Sequence, residues 1–159
     1  MTTVDFSVSA ELVGSPERAY DILADYHQGH PSILPAEHFP YLEVEEGGRG
    51  AGTVIRFGVK MAGRVQDAVA DVSEPEPGRV LVERVRDARG TVTTFTTEAA
   101  GAERVRVTIR STWTARGLLA PLERWMAPRL LRPIYRQELE NLERAMARKS
   151  PPSALSMPG

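Results

Sequence analysis

Turn signals recur through the middle of this chain at intervals too short for helices between them. They are Gly47-Gly48-Arg49-Gly50, Ala62-Gly63, Pro75-Glu76-Pro77-Gly78, Asp87-Ala88-Arg89-Gly90 and Ala100-Gly101. The intervening runs, residues 53–61, 64–73, 80–86, 91–98 and 104–114, are rich in β-branched and aromatic side chains. Regular short strands joined by Gly-rich turns make an antiparallel meander of hairpins. The last run is the clearest: Val105, Val107, Ile109, Ser111 and Trp113 alternate with Arg104, Arg106, Thr108, Arg110 and Thr112. One face of the sheet is therefore covered and the other is wet.

Two further elements flank the meander. An opening strand over residues 4–12 alternates Val4, Phe6, Val8, Ala10 and Leu12 with polar residues, and Gly14 breaks it. Ser15 then offers an N-cap oxygen and Pro16 suits the first helical position. Ala19, Ile22, Leu23 and Tyr26 fall at i, i+3, i+4 and i+7, so one face of this helix turns inward until Gly29 and Pro31 end it. Residues 31–40 form a second short helix or a structured loop. At the other end, residues 118–149 read as a long amphipathic helix that supplies the cover for the sheet, with Leu119, Leu122, Trp125, Met126, Leu130, Ile134, Leu142, Ala145 and Met146 on its apolar side. Pro128 and Pro133 predict a break, giving a short helix over 118–127 and a longer one reaching Arg148. The expected class is α+β, with a seven-stranded antiparallel sheet wrapped around a C-terminal helix. Residues 1–149 form one domain on the length prior, and 150–159 form a tail without periodicity that is expected to be disordered.

Composition narrows the function classes. There are no cysteines, which excludes disulfides, thiolate catalysis and Cys-ligated zinc. No segment has the apolar length of a membrane span, and residues 1–6 lack the pattern of a signal peptide, so a cytoplasmic protein is expected. The net charge of −1 offers no general attraction for nucleic acid. Charge is uneven, however: residues 116–149 carry +4 and the remainder −5. Arg124, Arg129, Arg132 and Arg136 are either a solvated helix face or a peripheral contact surface for a protein, ribosome or membrane.

The order of elements resembles the helix-grip superfamily, which includes the Bet v 1-like allergens, START domains and polyketide cyclase/dehydratase-like proteins (SRPBCC). The likeness is carried by Val8-x-Ala10 leading into Ser15-Pro16-Glu17-Arg18-Ala19-Tyr20-Asp21-Ile22-Leu23-Ala24-Asp25, by Gly50-Ala51-Gly52-Thr53, by Pro77-Gly78-Arg79-Val80-Leu81 and by Arg116-Gly117-Leu118-Leu119-Ala120-Pro121-Leu122. It spans about residues 4–148 and marks structure rather than chemistry. The resemblance implies a hydrophobic cavity between the concave sheet and the terminal helix, for lipid, polyketide, sterol or isoprenoid ligands.

Candidate ligand-binding residues follow from strand parity and helix face. Phe57, Val59, Phe95, Trp113, Leu130 and Ile134 are apolar candidates for the lining, while the small Thr93, Thr97 and Ser111 share parity with apolar neighbours and leave room. The alternative is a filled core. Arg84 shares parity with Val80 and Val82 and is the polar candidate; in the alternative register Leu81 and Val85 point inward. Tyr135 could offer its hydroxyl to the cavity or stand at its rim. His27, His30 and His38 are expected as surface loop residues, matching no metal-ligand spacing, and Asp25 as a structural acceptor for loop backbone. No nucleophile–base–orienter set is visible. The expected function is therefore hydrophobic small-molecule binding as a carrier or sensor, with no cofactor or metal. A polyketide cyclase/dehydratase-type enzyme using the same cavity is the alternative, since such catalysis rests largely on positioning.

Overall fold

The computed structural model describes residues 2–148; the tail expected at 150–159 lies outside them. β1 (Thr2–Val13) is followed by α1 (Pro16–Ala24) and α2 (Gly29–Ile33). Then come β2 (Leu42–Glu46), β3 (Val54–Met61), β4 (Arg64–Glu76), β5 (Val80–Val85), β6 (Val92–Ala99) and β7 (Arg104–Ala115), and the chain ends in α3 (Ala120–Ala147). The strands form one curved sheet in the order β1-β7-β6-β5-β4-β3-β2, every neighbouring pair antiparallel. This is the helix-grip architecture: α3 lies against β1, β7, α1 and α2, and the short helices bridge the two edge strands.

The alternation in β1 is the alternation of its burial, with Val4, Phe6, Val8 and Leu12 inside. These residues meet Val105, Val107 and Ile109 of β7 and the Leu139 and Leu142 side chains of α3 in the apolar core. Truncating a side chain as buried as Leu142 to Ala would cost about 2–5 kcal/mol. Ser15 caps α1 by accepting from the Arg18 amide at 3.1 Å, and Pro16 occupies the first turn. Beyond α1, the Asp25 carboxylate accepts from the backbone N–H groups of His27, Gln28 and Gly29 at 3.1, 3.3 and 3.3 Å. That is the structural role expected of it.

Two expectations about helices need correction. Gly29 does not end α1, which stops at Ala24; it begins α2, where a Cβ would lie 2.4 Å from the Ile22 carbonyl oxygen. Glycine allows the two helices to pack that closely. The terminal helix is also not divided: Pro128 and Pro133 both lie inside a single α3. Each proline removes an N–H that would have bonded the carbonyl four residues earlier, at Arg124 and Arg129. Both of those residues are exposed, so water can satisfy the freed carbonyls.

Candidate functional site

The antiparallel register aligns one row of side chains across the concave face. Val72, Glu83, Thr93, Ser111 and Phe6 are successive partners on β4, β5, β6, β7 and β1. The next row, Leu81, Phe95, Ile109 and Val8, is wholly apolar and buried. A polar strip therefore runs through an apolar surface, and alternation of side chains across the pleat keeps both rows on the same face.

Helices close over this strip. Tyr135 of α3 sets its hydroxyl 2.5 Å from Ser111 Oγ and its ring 5.4 Å from Phe6, stacked at 15°. Ser111 Oγ lies 2.8 Å from Thr93 Oγ1, so three hydroxyls form a chain. On the other side, Tyr26 donates its phenol hydrogen to Glu83 Oε2 at 2.6 Å. His30 of α2 stacks on Tyr26 at 4.6 Å, meets the edge of Phe95 at 5.2 Å, and places Nε2 3.4 Å from the same Glu83 oxygen. Its Nδ1 lies 2.7 Å from the Leu23 carbonyl oxygen. A carbonyl only accepts, so Nδ1 carries the proton and Nε2 is the nitrogen that faces Glu83.

Glu138, one turn beyond Tyr135, completes the set. It is only 3% exposed. Burial, and secondarily the nearby Glu83 carboxylate, pushes its pKa well above the ordinary 4.5. That direction favours the protonated carboxyl, the form that donates a hydrogen bond. Burial likewise raises Tyr135 and, together with Glu83, Tyr26, so both phenols keep their protons. The assembled groups comprise two carboxyl groups, an imidazole and a phenol, set among apolar side chains. Such a set can move protons on a bound molecule that exposes a carbonyl and an acidic C–H.

Of the residues singled out from sequence, the structure brings Thr93, Phe95, Ser111, Trp113, Ile134 and Tyr135 into the packed interior between sheet and α3. Phe57 and Val59 stand on the concave side of β3, both part-buried, nearer the β2 edge. Two candidates do not join them. Arg84 is exposed on the convex side; Leu81 and Val85 point inward, the alternative register, and bring Glu83 with them. Leu130 is 52% exposed because Leu131, one residue on, takes the inward position against the core. His30 also departs from expectation: it is a buried side chain, 2% exposed, whereas His27 is at the surface and His38 half-buried.

His30, Glu83 and Glu138 are interior polar residues that sequence patterning missed, whereas Tyr26 was expected inward and its contact with Glu83 was not. Glu138 had a signal, since it interrupts the i, i+4 stripe of Ile134 and Leu142. Glu83 had a weaker one in its parity with Leu81 and Val85. His30 had none, because the break at Gly29 hides its relation to Tyr26.

Comparison with known proteins agrees with this architecture. No curated protein matches by sequence. Among solved structures, the KanY protein superposes with a TM-score of 0.78 at 28% identity, covering 92% of this chain and 99% of that one. The Zhui aromatase/cyclase from Streptomyces sp. R1128 gives a TM-score of 0.75 at 18% identity, covering 91% and 94%. A START superfamily protein from Mycobacterium smegmatis gives 0.70 at 14% identity, covering 89% and 96%. The last two show the shared fold alone. The sequence pattern of one family, described as polyketide cyclase / dehydrase and lipid transport, matches residues 3–147. With the whole of α3 and all of the sheet except Thr2 inside that match, the chain belongs to the polyketide cyclase/dehydrase and lipid transport family.

Proposed function

We propose that this protein binds an oxygenated hydrophobic molecule of polyketide type between the concave sheet and α3, and catalyses proton transfer on it in the manner of a cyclase or dehydratase. The observation that carries the proposal is the placement of two carboxyl groups between sheet and helix, Glu138 of α3 buried at 3% exposure and Glu83 of β5 part-buried and met by Tyr26 and His30. Glu83, assisted by His30 Nε2, removes a proton from carbon beside a ketone. Glu138 and Tyr135 donate hydrogen bonds to the ketone oxygen as it becomes an enolate. For ring closure, the enolate carbon bonds a second carbonyl carbon whose oxygen takes up a proton. For dehydration, the same acid protonates the departing hydroxyl, which leaves as water. Neither step changes the oxidation level of the whole, so no cofactor is required by the balance.

The test uses 2-tetralone, a neutral bicyclic ketone, with exchange of its α-protons in D2O followed by NMR. The protein should accelerate exchange, and Glu83→Gln or Glu138→Gln should remove most of the acceleration while circular dichroism stays unchanged. Binding of the ketone without acceleration would overturn the catalytic reading and leave a carrier or sensor. That second reading has its own support, since Ser111, Thr93 and Tyr135 already satisfy one another as the wall of a passive container would. Native mass spectrometry of freshly purified protein would identify a retained ligand in either case.

A further inference from the structure

We infer that the first half of α3, with the adjoining end of the sheet, is a docking surface for an anionic lipid membrane. Leu118, Leu119, Leu122, Trp125, Met126 and Leu130 are all exposed, Leu118 at 99% and Trp125 at 56%. Leu118 and Leu119 lead into α3, and Leu122, Trp125 and Met126 lie on the side of the helix turned away from Ala120, Ala127, Leu131 and Ile134, which face the core, with Leu130 at the edge between. An amphipathic helix whose second apolar side faces solvent has a further surface to cover.

A separate part of the chain delivers apolar groups to the same end. The register places the β3–β4 turn, the β5–β6 loop and the β7–α3 junction at one end of the sheet. Met61 and Val65, exposed beside the β3–β4 turn, are there too. Val13 is the one large exposed apolar side chain, among the described residues, at the opposite end.

Charge selects the occupant. Residues 116–137 contain Arg116, Arg124, Arg129, Arg132 and Arg136 and one acid, Glu123. Glu123 is already engaged by Arg89 at 3.1 Å and by Trp113 Nε1 at 3.0 Å. None of the five arginines pairs with a carboxylate among the described residues, whereas Arg56, Arg79, Arg86, Arg106 and Arg110 of the sheet all do. Arg124, Arg129 and Arg132 line one open depression of about 630 Å³ with Trp125, over whose ring the Arg129 guanidinium sits at 4.1 Å. A second copy of this chain would bring like charges together. A free phosphate would use the guanidiniums but leave the leucines uncovered. An anionic bilayer satisfies both, taking apolar groups and tryptophan at its interface and arginines at its headgroups. The surface does not depend on the chemistry proposed for the interior.

Sedimentation of the full chain with vesicles tests this, using phosphatidylcholine alone or phosphatidylcholine doped with phosphatidylglycerol. The expected result is binding to the doped vesicles more than about tenfold tighter than to the neutral ones, weakened by salt. Trp125 emission should shift to the blue on binding, and Trp125→Phe should abolish the shift. The Arg124→Glu/Arg129→Glu/Arg132→Glu variant should lose vesicle binding with an unchanged circular dichroism spectrum, while Arg84→Glu on the convex sheet should retain it. Equal affinity for neutral and doped vesicles would overturn the proposal. So would absence of vesicle binding together with a concentration-dependent dimer, or with an acidic protein partner, lost in the same triple variant.

Discussion

Tyr20 and Tyr26, one on α1 and one just beyond it, each give a phenol hydrogen to a glutamate of the sheet, and the two contacts differ in what is left over. Tyr20 donates to Glu74 Oε2 at 2.5 Å, and Glu74 Oε1 accepts from the Ala51 amide at 2.7 Å. Both oxygens are used, and Gly50 (φ +61°) passes so close that a Cβ would lie 2.2 Å from Oε1. Tyr26 donates to Glu83 Oε2 at 2.6 Å, where His30 also converges, while no hydrogen bond to Oε1 is found among the described residues. The first pair ties the β2–β3 loop to α1 and is complete. The second keeps spare capacity beside an ionisable ring and a buried carboxyl. The same two residue types thus serve as a fastening in one place and as unspent chemistry in another, and the count of satisfied oxygens distinguishes them.

The sharpest test of that distinction is catalytic. Glu83→Gln should slow 2-tetralone exchange about 100-fold, the ordinary contribution of a positioned general base. Glu74→Gln should leave the exchange rate unchanged. Equal loss in both variants would mean that the rate follows fold integrity.

Stability should show the reverse order. Glu74→Ala removes two hydrogen bonds to a charged group and is expected to cost about 2–3 kcal/mol in urea unfolding. Glu83→Ala should cost less, because its Oε1 is not tied down. A Glu83 variant as destabilised as the Glu74 variant would make both pairs fastenings.

Glu138 adds a pH signature. Its folded pKa is raised above the ordinary 4.5 by burial and by Glu83, so the folded chain holds that proton more tightly than the unfolded chain. The resulting stabilisation is full below pH 4.5 and is lost as pH rises through the folded value, with a slope of at most about 1.4 kcal/mol per pH unit. Glu138→Gln cannot ionise and should lack this decline, gaining on the wild type toward alkaline pH. Urea midpoints measured across that range check the sign; parallel curves would mean that Glu138 is not buried as a neutral acid.

The smallest effect belongs to the convex face. Arg110 makes two contacts with Asp5, at 2.9 and 2.6 Å, yet both side chains are about half exposed. Arg110→Ala should cost less than about 1 kcal/mol, because water and salt screen the pair. A thermal shift as large as that of Glu74→Ala would show that counting satisfied oxygens without regard to burial is the wrong criterion.

Period-two alternation in β1 and β7, the turn residues between strands, and the Ser15-Pro16 cap each act over a few residues, so the sequence by itself determined the order of elements and the helix-grip fold. It also determined that Thr93, Phe95, Ser111 and Trp113 share a face, because parity within one well-marked strand is a local property. It did not determine the parity of β5, where valines occur in both registers; only pairing with β4 and β6 turned Glu83 inward and Arg84 out. Nor did it place His30, whose burial depends on Gly29 letting α2 pack against α1. The continuity of α3 through two prolines was likewise a tertiary outcome, since packing against the sheet outweighs the missing hydrogen bonds. The polar strip joins His30, Glu83, Thr93, Ser111 and Tyr135 from five separate elements, with Tyr26 just beyond α1. Such long-range coincidence follows from strand register and helix docking, which no local pattern in the chain encodes.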